Sequence, residues 1–304
     1  MDYILTAQSL CKSYKKFKAL TDFNIHIPKG SIYGLVGRNG AGKTTFIRLV
    51  CGLQEPTSGS YALYGADSGT KAVYSARRRI GAIIESPAIY RDMTAEENLR
   101  QQYRVLGLPS FDGIDELLKL VGLSDTGKKK AGHFSLGMRQ RLAIAVALCG
   151  NPDFLILDEP MNGLDPQGII EIRELILKLN REKQVTILIS SHILDELSKV
   201  ATHYGFMDKG VMVKEMSAEE LNSVQRKCVR LTVDNISALS SLLEKKGIDY
   251  SIVSDREADV YGDINIAKLI IELSQSECSV LSMNEKDESL ESYFINLVGG
   301  EENG

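Results

Sequence analysis

The sequence predicts an α/β fold followed by a smaller α+β unit, and three features point there. Residues 37–45 read G-R-N-G-A-G-K-T-T, between the apolar stretch Ser31-Ile-Tyr-Gly-Leu-Val36 and the helix-like Thr44-Thr-Phe-Ile-Arg-Leu-Val50. Two more apolar runs of strand length, residues 154–157 and 185–189, flank a helical pattern. In that pattern Ile169, Ile172, Ile176 and Leu179 recur at three- and four-residue spacing. Beyond about Ser223 the order becomes β-α-β-β-α-β, the ferredoxin-like pattern.

At 304 residues the chain has room for about two domains. Its 43% hydrophobic and 25% charged residues are ordinary for a soluble globular protein. A net charge of −4 supplies no overall basic field, so no nucleic-acid partner is expected. No run of roughly eighteen apolar residues occurs, so no membrane span is expected. Met1-Asp-Tyr-Ile-Leu lacks the basic region and apolar core of a signal peptide, and a cytoplasmic location is the expectation. The five cysteines are odd in number, scattered and without a C-x-x-C pair, which fits buried thiols in a reducing compartment. The four histidines are too dispersed for a metal site.

In chain order, residues 3–7 and 23–27 read as strands. Ser13-Tyr-Lys-Lys-Phe17 between them reads as a polar turn carrying exposed aromatics; Tyr14 either stacks on a nucleobase or covers the core at a strand edge. The glycine-rich stretch matches G-x-x-x-x-G-K-[ST] at Gly37, Gly42, Lys43 and Thr44. Its glycines, Gly40 among them, let successive N–H groups curl toward phosphates, and the helix that follows adds its free N–H groups and positive dipole end. Lys43 brings a positive charge for the outer phosphates, and the Thr44 hydroxyl is placed to ligate Mg²⁺. The pattern therefore points to a nucleoside triphosphate.

Residues 60–64 read as a strand, Arg77-Arg-Arg79 as a solvated charge run on a helix, and 80–84 as a strand ending at Glu85-Ser-Pro87. Thr94 and Glu97 form a capping-box pattern. Leu117, Leu118 and Val121 mark a second helix, and Lys128-Lys-Lys130 a loop. Residues 134–141 lead into 142–148, apolar on every side and so expected to be buried. Residues 154–157 end in Asp158-Glu159-Pro160, 162–165 form a loop, and 185–189 end at Ser190-Ser-His192. Residues 203–207 and 211–213 read as a hairpin around Lys209-Gly210. The C-terminal part reads as strands 227–233, 250–253, 258–261 and 279–283, helices 236–246 and 264–274, and a terminal helix 289–297, with no catalytic constellation.

Behind the phosphate loop the remaining chemistry lines up. Asp158 ends an apolar strand, where a carboxylate can hold Mg²⁺ directly or through water. Glu159 follows, placed to orient or deprotonate an attacking water. His192 ends the next core strand, where a γ-phosphate contact is feasible, although a lone histidine there also reads as structural. The Ser135 hydroxyl and Gly137 N–H precede a buried helix and can bind an anion at its N-terminus.

This ordered set resembles the nucleotide-binding subunit of ATP-binding-cassette (ABC) transporters, over roughly residues 3–221. The resemblance implies a P-loop ATPase cassette binding ATP and Mg²⁺, with a helical subdomain. Tyr14 resembles the adenine-stacking aromatic, and Gly37, Asn39, Gly40, Ala41, Gly42, Lys43, Thr44 and Thr45 the phosphate loop. Ser135 and Gly137 resemble the signature loop that completes the ATP site of a second, facing subunit. Asp158 resembles the Mg²⁺-organising carboxylate and Glu159 the catalytic one. Asp165 resembles the aspartate that communicates across the dimer, and His192 the switch histidine.

Two departures stand out. The signature, usually L-S-G-G-Q, is Phe134-Ser-Leu-Gly-Met138, so Leu136 must avoid positive φ. Glu85 replaces a glutamine that touches Mg²⁺ and the nucleophilic water, which makes it a candidate metal ligand and catalytic group with an added negative charge. With the ending Ser289-Leu-Glu-Ser-Tyr-Phe, these departures resemble the branch that exports, or confers immunity to, bacitracin and lantibiotics.

The implied organisation is a cassette at 1–223, with its helical subdomain at about 86–150, and a ferredoxin-like accessory domain at 224–304. Two copies, or one copy and a paired ATPase subunit, sandwich ATP. Integral membrane permease subunits dock near residues 86–94 and hold the chain at the inner face of the membrane, with a peptide antibiotic as indirect cargo. The alternatives are the same machine with another cargo (drug, lipid-linked sugar or ion) and a soluble cassette ATPase acting on nucleic acid or ribosomes.

Overall fold

The computed structural model describes residues 2–224, 227–262, 265–275, 278–287 and 290–299. Ile264 and Ser289, where the sequence opens two helices, lie outside the described residues. The chain divides into two compact units, Met1–Ala218 and Glu219–Gly304.

The first unit is built on a six-stranded sheet in the order Val211–Ser217, His203–Asp208, Ile32–Val36, Thr186–Ser191, Phe154–Asp158, Ile80–Ile83. All neighbours run parallel except the first pair, an antiparallel hairpin. Every residue of Ile32–Val36, Phe154–Asp158 and Thr186–Ser191 is buried. Strands covered on both faces are mostly apolar, which is why they appear in the sequence as near-continuous runs. The hairpin turns at Lys209 (φ 46°) and Gly210 (φ 82°), the positive-φ pair that a two-residue turn requires. A side chain at Gly210 would also strike the Ala19 carbonyl at 2.6 Å.

A second sheet, in the order Phe17–Pro28, Tyr3–Tyr14, Ser58–Leu63, Ala66–Asp67, packs on the helix Lys43–Val50. Phe23 meets Phe46 there with ring centroids 4.9 Å apart. The expected polar turn at 13–17 is shorter than the sequence suggested. Both strands run on through Tyr14 and from Phe17, and only two residues separate them. Register shifts between Ala7 and Leu10, and again before Lys12 and Ser13, break the alternation that would have revealed the extra length.

The helical insert comprises Ala95–Leu106, Ile114–Leu120 and Leu136–Leu148. Thr94 and Glu97 form the capping box reciprocally. Leu136 lies in the first turn of its helix and has no positive φ.

In the second unit the sheet order is Tyr250–Ser254, Glu257–Tyr261, Lys227–Val233, Val280–Asp287, antiparallel throughout. The helices Ile236–Lys246 and Ile266–Gln275 bury Leu239, Leu243, Leu269 and Leu273 in one cluster with Leu231, Val233, Ala258 and Val260. That is the ferredoxin-like arrangement. No helix among the described residues is long and apolar enough to cross a membrane.

The arginine run at 77–79 departs from the sequence reading. Arg78 is exposed, but Arg77 turns inward. Its Nε donates to the Val50 carbonyl at 3.2 Å, at the C-terminus of the phosphate-loop helix, and its Nη2 donates to the Tyr61 hydroxyl. A cation on a last-turn carbonyl offsets the negative end of the helix. Arg77→Ala should therefore lower unfolding free energy by about 1–2 kcal/mol, against under about 0.5 kcal/mol for Arg78→Ala. Urea titration followed by far-ultraviolet circular dichroism measures both; equal effects would restore the solvated-face reading.

Candidate functional site

The parallel sheet determines where the chemistry collects. Val36 pairs with Ser191, and Asp158 with Ser190. The residues that follow these strands, Gly37, Glu159 and His192, thus emerge at one carboxyl-terminal edge, where open α/β sheets bind ligands.

The phosphate loop lies there. Gly42 (φ 108°) precedes the helix Lys43–Val50, and a Cβ on it would meet the Ala19 carbonyl at 2.6 Å, so only glycine fits. Lys43 is 6% exposed. Its Nζ donates to the carbonyls of Gly37 (2.6 Å) and Arg38 (3.3 Å) and lies 3.3 Å from Glu159 Oε1.

Asp158, 2% exposed, accepts from Thr44 Oγ1 at 2.8 Å and Ser190 Oγ at 2.5 Å. Glu159 adopts φ 51°, and its N–H donates to the Ser190 carbonyl and hydroxyl at 3.1 and 3.0 Å. Its Oε2 lies 2.6 Å from His192 Nδ1. A cleft of about 550 Å³ opens over this edge, lined by Phe17, Asn39, Lys43, Glu159, Asn162 and His192 with the rest of the loop to Thr45.

Thr44 Oγ1 and Asp158 Oδ2, 2.8 Å apart, are hard oxygen donors, the donor chemistry of Mg²⁺. No group of three or more His, Cys, Asp or Glu among the described residues could hold a metal. A cation here would complete its shell with phosphate oxygens and water, as Mg²⁺ commonly does.

Residues 20–162 match the ABC transporter family. The chain is 40% identical over 306 residues, covering 99% of both sequences, to the bacitracin transport ATP-binding protein BcrA of Bacillus licheniformis. The chain belongs to the ABC transporter family. It is an ATP-binding subunit of that family and an ATPase.

This ABC subunit is also 37% identical to the BcrA of Enterococcus faecalis, over 99% of this chain and 98% of that one. It is 44% identical to the lantibiotic transport ATP-binding protein SrtF of Streptococcus pyogenes, over 70% of this chain and 90% of that one. Among solved structures, the ADP conformation of the ABC transporter cassette MJ1267 superposes with TM-score 0.66 at 26% identity, covering 74% of this chain and 95% of that one.

The cassette brings together most of the residues singled out from the sequence: Asn39, Gly40, Ala41, Gly42, Lys43, Thr44, Thr45, Glu159 and His192 line the cleft. Gly37 and Asp158 reach it through Lys43 and Thr44. Others stand apart. Ser135 caps the helix Leu136–Leu148 by accepting from Met138 N–H, with Gly137 buried in its first turn. Asp165 caps Pro166–Lys183 by accepting from Gly168 N–H. Glu85 pairs with Arg48 at 2.5 Å.

Tyr14 does not line the cleft: its hydroxyl donates to Gln54 Oε1, and the Lys12 ammonium sits 5.3 Å from its ring centroid. Phe17, 61% exposed, lines the cleft instead. Phe17, Ala19 and Asn162 are the cleft residues that sequence reasoning missed. The exposed aromatic pair was visible, but not which ring faces the loop.

Two substitutions separate binding from chemistry. Lys43→Ala removes the buried cation and should weaken binding of a fluorescent ATP analogue by at least about tenfold. Glu159→Gln keeps the hydrogen-bonding shape and should retain nucleotide while turnover falls by about 10²- to 10⁴-fold. Phosphate-release rates beside equilibrium binding check both; Glu159→Gln turning over at the parent rate would move the water-positioning role elsewhere.

Proposed function

We propose that two copies of the chain, or one copy and a paired ATPase subunit, act at the inner face of a membrane, docked on an integral membrane permease, and drive removal of a bacitracin- or lantibiotic-type peptide. The observation carrying this reading is that similarity to the BcrA proteins extends through both units of the chain. In this reading residues 1–223 perform the ATP chemistry and 224–304 form an accessory domain.

The residues divide the work as follows. Lys43 exchanges its bonds to the Gly37 and Arg38 carbonyls for phosphate oxygens, while N–H groups of the loop and helix start receive the remaining charge. Thr44 and Asp158 would hold Mg²⁺, which neutralises phosphate charge when bound. Glu159, held between Lys43 and His192, orients the attacking water and accepts its proton. His192 uses Nδ1 toward Glu159, which leaves Nε2 for the γ-phosphate. Phe17, exposed on the cleft wall, supplies the adenine contact in place of Tyr14, which is turned to Gln54.

The cleft is open, and Ser135, Gly137 and Asp165 lie outside its lining. A facing copy would bring its Ser135 hydroxyl and Gly137 N–H to the γ-phosphate and close the site. Leu136, 37% exposed at that helix start, would then lie in the contact. A groove of about 370 Å³ beside the terminal strand Ile80–Ile83, lined by Ile84, Ser86, Ala88, Gln102 and Leu106 among others, supports permease docking close to residues 86–94.

The test is survival of cells carrying the chain with its permease under bacitracin and a lantibiotic, together with co-purification. The parent should raise the inhibitory concentration several-fold and Glu159→Gln should not. A co-purifying permease without protection would assign the machine another cargo; ribosomes or DNA in place of permease would overturn the transport reading.

A further inference from the structure

Glu85 sits in an unusual electrostatic position. Its strand Ile80–Ile83 runs parallel to Phe154–Asp158, with Ile83 beside Leu157. Two residues on, Glu85 follows its strand at the same carboxyl-terminal sheet edge from which Glu159 leaves the neighbouring strand. Glu85, Asp158 and Glu159 therefore all belong to that edge, but with Glu85 held on Arg48 no three acidic side chains among the described residues converge as a metal set. Two of them are answered from within the site: Glu159 by Lys43 and His192, Asp158 by two hydroxyls. Glu85 is answered by Arg48, whose Nη2 donates to its Oε1 at 2.5 Å.

Arg48 belongs to the phosphate-loop helix, four residues after Thr44 and hence on the same helical face. One helix face thus carries the hydroxyl that bonds Asp158 and, one turn later, the cation that bonds Glu85. Glu85 itself has φ 64°, a conformation that costs a non-glycine residue energy and fixes where its side chain departs. An amide at this position would bring no charge and need no cation.

We propose that Arg48 is a positioning residue for the metal side of the ATP site, its guanidinium competing with the metal for the Glu85 carboxylate. This rests on the reading of Thr44 and Asp158 as metal-holding residues. With the pair formed, Glu85 is drawn one helical turn away from Thr44, and the edge holds two effective carboxylates. With the pair broken, Glu85 becomes a third hard-oxygen ligand or a through-space attraction for the cation.

The experiment is equilibrium Mn²⁺ binding to the full chain with a non-hydrolysable ATP analogue, read from the electron paramagnetic resonance of free Mn²⁺. Arg48→Gln should tighten Mn²⁺ by about 3- to 10-fold, the size of a unit charge freed at this range in a partly screened site. Arg48→Lys, which keeps the charge, should stay within about twofold of the parent. In a Glu85→Gln background, Arg48→Gln should change Mn²⁺ affinity by less than about twofold, because the contested carboxylate is gone. Unchanged affinity on Arg48→Gln alone would reduce the pair to a surface contact and overturn the proposal. An equal shift in both backgrounds would make Arg48 a general field effect and overturn it as well. A parent chain that binds neither analogue nor analogue-dependent Mn²⁺ would sink the ATP-site reading itself; a parent that binds both, with a flat Arg48 series, sinks only the competition.

Discussion

Parallel strand register is the constraint on which the site depends. Ile32–Val36, Thr186–Ser191 and Phe154–Asp158 stop nearly level, so a loop amide cradle, two adjacent carboxylates and a histidine leave the sheet at the same height. Each strand is buried along its whole length, and each leaves the core within two residues of the end of its apolar run. Polar residues are excluded from the run itself by the cost of burying them unpaired. The chemistry is therefore pushed to the first position where hydrogen bonds can satisfy it. The polar residues still inside these strands are each hydrogen-bonded: Thr44 and Ser190 donate to Asp158, Gly30 N–H donates to Thr186, and Ile193 N–H donates to Ser191.

Those two donors also tie three elements together. Thr44 brings the phosphate-loop helix, Ser190 the neighbouring strand, and the Ser190 hydroxyl further accepts from Glu159 N–H. Glu159 needs that anchor, because φ 51° at a non-glycine residue costs roughly 1–3 kcal/mol and persists only where the surroundings enforce it. The anchored backbone sends the Glu159 side chain back over the loop, between Lys43 and His192. The strain thus fixes direction, which the proposed role of Glu159 in orienting a water would need.

Much of this was legible in the sequence because it is local. The phosphate loop, the Asp158-Glu159 pair and the Thr94 capping box each lie within a few residues, and the β-α-β-β-α-β order of the second unit needs only alternation and helical spacing. What stayed hidden involves partners far apart in the chain. Arg77 reads as part of a charged run until Val50 and Tyr61 appear beside it, and Arg48 meets Glu85 across 37 positions. Tyr14 and Phe17 are paired across one short turn, and only the elements packed around them separate Phe17, on the cleft, from Tyr14, on Gln54. No periodicity encodes such pairings, since a side chain's target depends on which elements the tertiary fold lays against it.

The same distinction explains how Lys43 can be both buried and available. A lysine ammonium carries three donors, and here all three have oxygens within reach: the Gly37 and Arg38 carbonyls and the Glu159 carboxylate. Burying the charge is tolerable because these partners replace water. None of the three is a deep trap. The two carbonyls belong to a glycine-rich loop, and Glu159 has a second oxygen on His192. Phosphate oxygens carry more charge than carbonyls and approach from the open side of the cleft, so they can take over the ammonium's bonds while the loop keeps its backbone shape. Exchange of partners at one side chain then changes what Glu159 feels. In the proposed mechanism, an ammonium turned toward phosphate would loosen its hold on Oε1 and free that oxygen to accept from an attacking water. On that proposal, binding and readiness for chemistry would be coupled through a single cation.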